Sequence, residues 1–180
     1  MTGELKRVMV CPPRHAGWDR PEKVARWRDL GFEHAPAFPV AESQHDDLCR
    51  RLEEAGAEVL CLSPSDSLSL DAVYTHDASL PTDHGMILMN PGKSNRVAEG
   101  QAHANFCAQV GIPLFGEIRP PDTSEAGDIV WLDSRTLLIG CGYRTNAAGI
   151  AQMRSLLAPR ESRCWPRPCL TVPALRPACT

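Results

Sequence analysis

Apolar and polar positions along the 180-residue chain predict an alternation of short strands and helices. Residues 6–11 (KRVMVC) read as a buried strand, ended by Pro12 and Pro13. Residues 14–39 are irregular, broken by Gly17, Pro21, Gly31 and Pro36, with a short helix over 21–30 that opens on its proline. Residues 41–55 make a better helix: Leu48, Leu52 and Ala55 fall at helical spacing, and Gly56 stands where a helix ends. Residues 58–62 (EVLCL) give the next strand, and 63–69 a Ser/Pro/Asp turn region.

Two similar units follow. In the first, strands over 72–80 and 86–89 pair around Thr82-Asp83-His84-Gly85. A loop over 91–96 then leads into a helix over 97–110, and a strand over 112–118 closes the unit. In the second, strands over 128–132 and 136–140 pair around Asp133-Ser134-Arg135, followed by a loop over 141–145 and a helix over 146–157. Each loop sets a glycine and an asparagine ahead of its helix, Gly92 with Asn95 and Gly142 with Asn146. An asparagine oxygen there accepts a free helix N–H. The second unit calls for a closing strand, but the proline-interrupted stretch 160–180 supplies neither a strand nor a regular helix. A ββαβ unit cannot bury its own sheet face, so such units occur as stacked repeats.

Composition narrows the classes. Apolar residues make up 43% of the chain, enough for a core, and the net charge of −3 attracts neither nucleic acid nor an anionic membrane. No apolar run approaches the ~20 residues that span a bilayer. The N-terminus MTGELKRVMVCPP lacks a secretory h-region, so the expected location is cytoplasmic. Of the eight cysteines, no pair has CxxC spacing, and Cys11, Cys49, Cys61, Cys107 and Cys141 read as small buried hydrophobes. No metal, cofactor or disulfide framework is expected.

Three polar clusters could carry chemistry. They are Thr75-His76-Asp77 within AVYTHDASL, Glu125-Ala126-Gly127-Asp128 before IVWL, and Tyr143-Arg144-Thr145-Asn146 at the turn into the last helix. Carboxylates hold a guanidinium through paired hydrogen bonds, and an arginine fork holds a carboxylate in the same way. Asp77, Glu125, Asp128 and Arg144 together therefore fit an amphoteric, arginine-like ligand. Blander readings exist for each: a satisfied buried acid for Asp77, a solvated loop residue for Glu125, a turn cap for Asp128 and a surface ion pair for Arg144. His76, beside Asp77 on a regular strand, faces the opposite way and is given no catalytic role.

The segments VMVCPP, VYTHDASL and SEAGDIVWLDSRTLLIGCGYRTNAAGI, in that order, resemble dimethylarginine dimethylaminohydrolases and related amidinotransferases, over residues 6–159. The resemblance implies an α/β fold, the pentein propeller, a near-circular array of ββαβ modules around the active site. Residues 1–159 would be a partial, truncated example. It also implies attack by a cysteine thiolate on a guanidinium carbon, a covalent amidino intermediate as an amine leaves, and a histidine acid/base. Hydrolases then add water, and transferases pass the amidino group to another amine. The partner implied is a small-molecule guanidine, arginine or a methylarginine.

Carried over by residue, Asp77 resembles the acid that binds the substrate guanidinium. Glu125 resembles the acid of an E-G-G-D motif close to that guanidinium and to the histidine, and Asp128 the last acid of the motif. Arg144 resembles the arginine that binds the substrate carboxylate. Glu125 and Asp128 are thus the implied catalytic residues, and Asp77, Glu125 and Arg144 the implied substrate-binding ones. Ala126 replaces the usual glycine, and its methyl would crowd a backbone held at positive φ.

The resemblance further implies a histidine in a Leu-His segment after the Arg-Thr-Asn helix, and a nucleophilic cysteine near the family's C-terminus. Cys164, Cys169 and Cys179 do not stand in that context. The expectation is a truncated, inactive member whose open strand edges favour a homodimer or aggregation. The alternative is a non-enzymatic module that binds arginine-like ligands. The tail from Arg160, RESRCWPRPCLTVPALRPACT, is read as out of frame. Its Cys-Trp-Pro codons dictate Leu then Ala in the shifted reading, and permissible codons elsewhere spell V-E-V-L and a final Leu-His.

Overall fold

The computed structural model describes residues 4–133 and 135–158, and the backbone of a strand at 170–173. Cys164, Cys169 and Cys179, and the tail apart from that strand, lie outside the described residues. The chain divides into two compact units, one of residues 4–75 and 94–111, the other of 76–93 and those from 112 on. Among the described residues no helix is long and apolar enough to cross a membrane.

In the first unit β1 (Arg7–Val10) and β2 (Glu58–Cys61) pair in parallel, Arg7 opposite Glu58 and Val10 opposite Cys61. Parallel neighbours need a long crossover. It runs through α1 (Pro13–Ala16), α2 (Pro21–Val24), a 3-10 turn (Trp27–Leu30) and α3 (Phe38–Glu54). Each of these α-helices carries a proline in its first two positions, where the missing N–H has no intrahelical partner to lose.

Three expectations need correction here. β1 is half-exposed, with Val10 alone buried, because its sheet has two strands. The helix expected over 21–30 is two short pieces; neither buries a residue, so no packing joins them. In α3, Leu48 is 49% exposed, and the half-buried stripe runs instead through Ala41, His45, Cys49 and Leu52.

The helix α4 (Val97–Gln109) belongs to this unit and buries Glu99, His103, Phe106 and Cys107. It follows a 3-10 turn, Ser94–Arg96, so Asn95 is not its cap; the Asn95 amide donates to Asp71 Oδ2 at 3.3 Å. Buried Arg96 forks onto Glu99 at 2.8 and 2.7 Å and donates to the carbonyls of Asp71 and Tyr74.

The second unit holds the strands of both repeats and the helix of the second. β3 (Ser79–Thr82) runs antiparallel to β4 (Gly85–Leu88), which runs parallel to β5 (Leu114–Glu117). β6 (Ile129–Trp131) runs antiparallel to β7 (Leu137–Cys141), which runs parallel to β8 (Leu170–Pro173). Each sheet is therefore a hairpin plus one parallel strand. Gly85 makes the first hairpin: at φ +128° a side chain is strained, and a Cβ would lie 2.2 Å from the Pro113 carbonyl. Between the repeats' strands lies a core of Leu80, Ile87, Met89, Ile118, Ala126, Ile129, Leu137 and Ile139, with Ile150 and Met153 from α5 (Ala147–Leu157). Asn146 caps α5 as expected, its Oδ1 accepting from Gly149 N–H at 2.7 Å.

Two further corrections concern the repeats. The strand expected over 72–80 is instead a 3-10 turn (Leu70–Val73), a turn at 75–78, and then β3. The Ser69 hydroxyl accepts the Asp71 N–H and starts the 3-10 turn, which takes the apolar run out of strand geometry. The tail does supply a strand: β8 pairs Leu170 with Leu138 and Val172 with Gly140. Leu170-Thr171-Val172 is free of proline and β-rich, which suffices for a four-residue ladder ending at Pro173.

Candidate functional site

Asp77, Glu125, Asp128 and Arg144 all belong to the second unit, and the structure brings them together. Asp77 sits in the turn that leads into β3, and its carbonyl accepts the Ala126 N–H at 2.9 Å. Ala126 opens a 3-10 turn, Ala126–Asp128, whose right-handed conformation is open to any residue. The crowding expected of the alanine does not arise; its methyl is buried in the core. Its neighbour Gly127 is the tight position. A Cβ there would lie 2.2 Å from Asp77 Oδ1 and 3.3 and 3.4 Å from the Arg144 terminal nitrogens.

Glu125 is 1% exposed. Its Oε1 accepts the Gly92 N–H at 3.0 Å, and its Oε2 accepts from Arg144 Nη1 at 3.2 Å. Asp128 accepts from Arg144 Nη2 at 2.6 Å through Oδ1, and from the Thr145 hydroxyl at 2.7 Å through Oδ2. Asp77 Oδ1 lies 3.6 Å from Arg144 Nη1. Thr145, fully buried, also accepts the Glu125 backbone N–H at 3.1 Å. One hydroxyl thus ties the start of the Glu125 turn to the carboxylate at its end. The loop before α5 is closed by Gly142 N–H donating to the Thr145 carbonyl at 2.8 Å.

Three acids therefore surround one guanidinium, leaving the group formally at −2 when all are ionised. Burial pulls the Arg144 pKa down, but the charges of Asp128, Glu125 and Asp77 outweigh it, and the net shift is upward. Arg144 stays protonated at any working pH. Such a site holds a planar cation by charge-assisted, forked hydrogen bonds. Among the described residues no group of three His, Cys, Asp or Glu side chains is arranged to hold a metal ion. His76 is exposed and makes no hydrogen bond or ion pair with the four.

Three participants were given no role at the site from sequence. The Gly92 amide, the Thr145 hydroxyl and the missing side chain of Gly127 complete the site. Thr145 and Gly127 lie inside the segments that carried the resemblance, so adjacency was the available signal. Nothing in the sequence points the Gly92 amide at Glu125.

The sequence model of the arginine deiminase family matches residues 66–163. The N(G),N(G)-dimethylarginine dimethylaminohydrolase of Streptomyces coelicolor is 30% identical over 141 residues, covering 78% of this chain and 54% of that protein. The dimethylarginine dimethylaminohydrolase of Pseudomonas aeruginosa, solved as a cysteine-to-serine mutant complexed with citrulline, superposes with a TM-score of 0.71 at 26% identity, over 86% of this chain and 57% of that one. A dimethylarginine dimethylaminohydrolase adduct with 4-chloro-2-hydroxymethylpyridine gives a TM-score of 0.68 at 28% identity, over 85% of this chain and 56% of that one. The fold is accordingly of the pentein class. The chain spans about half the length of the curated relatives it matches.

Proposed function

The chain belongs to the arginine deiminase family, and from that premise we propose that its carboxylate cluster binds the guanidinium of an arginine-like substrate for hydrolysis. Asp77 and Glu125 hold the cation, Asp128 keeps the pocket negative, and Arg144 serves the carboxylate at the other end of the ligand. The observation that carries this is the convergence of three acids on one guanidinium, that of Arg144 itself. A pocket that accepts one guanidinium through forked hydrogen bonds has the charge and shape to accept another.

The chemistry proposed for the family is attack by a cysteine thiolate on the guanidinium carbon. A C–S bond forms, the C–N bond to an amine breaks, a histidine supplies the leaving amine with its proton, and water then releases the product. Glu125, beside the cation, would steady the charge on that histidine. After α5 the described residues contain neither a histidine nor a cysteine. Cys164, Cys169 and Cys179 do not stand in the context of the family's nucleophile, and we expect residues 1–180 alone to bind without turnover, because losing a nucleophile and its base removes several orders of magnitude in rate. Residues 160–180 are proposed to be out of frame with 1–159; β8 falls inside them, and the coding DNA is the test.

Titration calorimetry with L-arginine, dimethyl-L-arginine and citrulline tests the binding reading. The cationic guanidines should bind and neutral citrulline should bind more weakly, with Asp77→Asn abolishing the difference. Equal binding of arginine and citrulline would overturn it.

A further inference from the structure

We propose that Arg144 and a ligand guanidinium take turns on the same carboxylates: Arg144 fills the seat formed by Asp77, Glu125 and Asp128 when no ligand is bound. The incoming guanidinium displaces it, and the released Arg144 fork is then free to pair with a carboxylate on that ligand. This rests on the reading of the cluster as a guanidinium site, and it adds a competition that the reading alone does not contain.

The seat is shaped for a guanidinium and is filled by one. Arg144 reaches Asp128 at 2.6 Å, Glu125 at 3.2 Å and Asp77 at 3.6 Å. Its terminal nitrogens lie over Gly127, where the absent Cβ leaves room for a flat group. Two of the carboxylates have a second holder besides Arg144. The Gly92 amide holds Glu125 through the other oxygen, and the Thr145 hydroxyl holds Asp128 through the other oxygen. Glu125 and Asp128 keep these bonds when the arginine leaves.

Arg144 can leave by side-chain rotation alone. Its side chain is about a third exposed, while the backbone on either side is pinned by the Gly142–Thr145 bond, the Thr145 hydroxyl and the Asn146 cap. Leaving without a replacement would part it from Asp77, Glu125 and Asp128 together, which is costly. Competition of this kind weakens any ligand by the fraction of time the seat is taken. A plain guanidine meets that competition with no return. A ligand that also carries a carboxylate recovers part of it by pairing with the displaced fork. The device selects amphoteric guanidines over simple ones.

The test is calorimetry on the 180-residue chain and its Arg144→Ala variant with propylguanidine and L-arginine. Propylguanidine should bind the variant about tenfold or more tighter than the parent. L-arginine, which gains the open seat and loses the fork, should change much less. Propylguanidine binding equally to both proteins overturns the proposal. If Arg144→Ala does not fold, the parent serves: the Arg144 Nε–Hε resonance, identified by its loss in Arg144→Lys, should shift as propylguanidine saturates the site. An unmoved resonance at saturation overturns the exchange. Asp77→Asn separates the two ideas. Arginine binding lost in Asp77→Asn, with propylguanidine indifferent to Arg144, sinks the exchange and leaves the guanidinium site standing. Arginine binding untouched by Asp77→Asn sinks both.

Discussion

Gly127→Ala adds one methyl group and should disturb Asp77 specifically. The new Cβ would lie 2.2 Å from Asp77 Oδ1, against about 3.3 Å or more for an ordinary carbon–oxygen contact. The carboxylate must move by about 1 Å, out of a place where its side chain is 15% exposed and 3.6 Å from Arg144. Overpacking of this kind costs about 1–3 kcal/mol. Stiffening of the unfolded chain returns about 0.4–1 kcal/mol, so the net loss should be roughly 1–2 kcal/mol. Gly140→Ala is the control, because its Cβ would meet Asp128 O at 3.6 Å and Cβ at 3.9 Å, both ordinary contacts. It should be neutral or slightly stabilising. Urea denaturation at constant m-value measures both. In an Asp77→Ala background the Gly127→Ala cost should nearly vanish, since the remaining neighbours are the flexible ends of Arg144. That gives a coupling of about 1–2 kcal/mol. An undiminished cost in the Asp77→Ala background would refute the packing argument.

Asn146→Ala removes the cap of α5 and should cost about 1 kcal/mol; a variant as stable as the parent would mean the helix start is held by other groups. His103 is buried, and burial first, then Arg96, pushes its pKa down to about 4. The unfolded state binds the extra proton between that value and about 6.5, so the stabilisation is full above pH ~6.5 and lost as pH falls towards ~4. The loss should be on the order of 3 kcal/mol and should be absent from His103→Gln, which urea midpoints across this range will show. Arg96→Met takes the fork away from Glu99 at 1% exposure and should cost about 3–5 kcal/mol. The double change Arg96→Met with Glu99→Leu should recover much of it, and a double variant no better than the single would argue against a charge effect.

The hairpins were legible because their turn residues interrupt apolar runs: Gly85 between Leu80 and Ile87, and Asp133 to Arg135 between Ile129 and Leu137. The cap of α5 was legible because Asn146 acts on its own helix. Tertiary effects decided the rest. Val73 and Tyr74 look like strand residues, but the Ser69 hydroxyl starts a 3-10 turn ahead of them. In α3 the half-buried stripe takes in Cys49 where hydropathy pointed to Leu48. Asn95 looked like a cap, but its side chain bonds Asp71. At the site, the motif order marked the acids and Arg144 as belonging together. It did not reveal that Arg144 would lie against all three acids, or that Gly92 and Thr145 would hold them, because those contacts depend on the path of the chain between the motifs.

The most direct test of the guanidinium site is a crystal structure of this chain soaked with L-arginine. The ligand guanidinium should lie within hydrogen-bond distance of Asp77 and Glu125, in the position Arg144 holds without ligand. Ligand bound elsewhere, with Arg144 still seated between Asp128 and Glu125, would contradict the account.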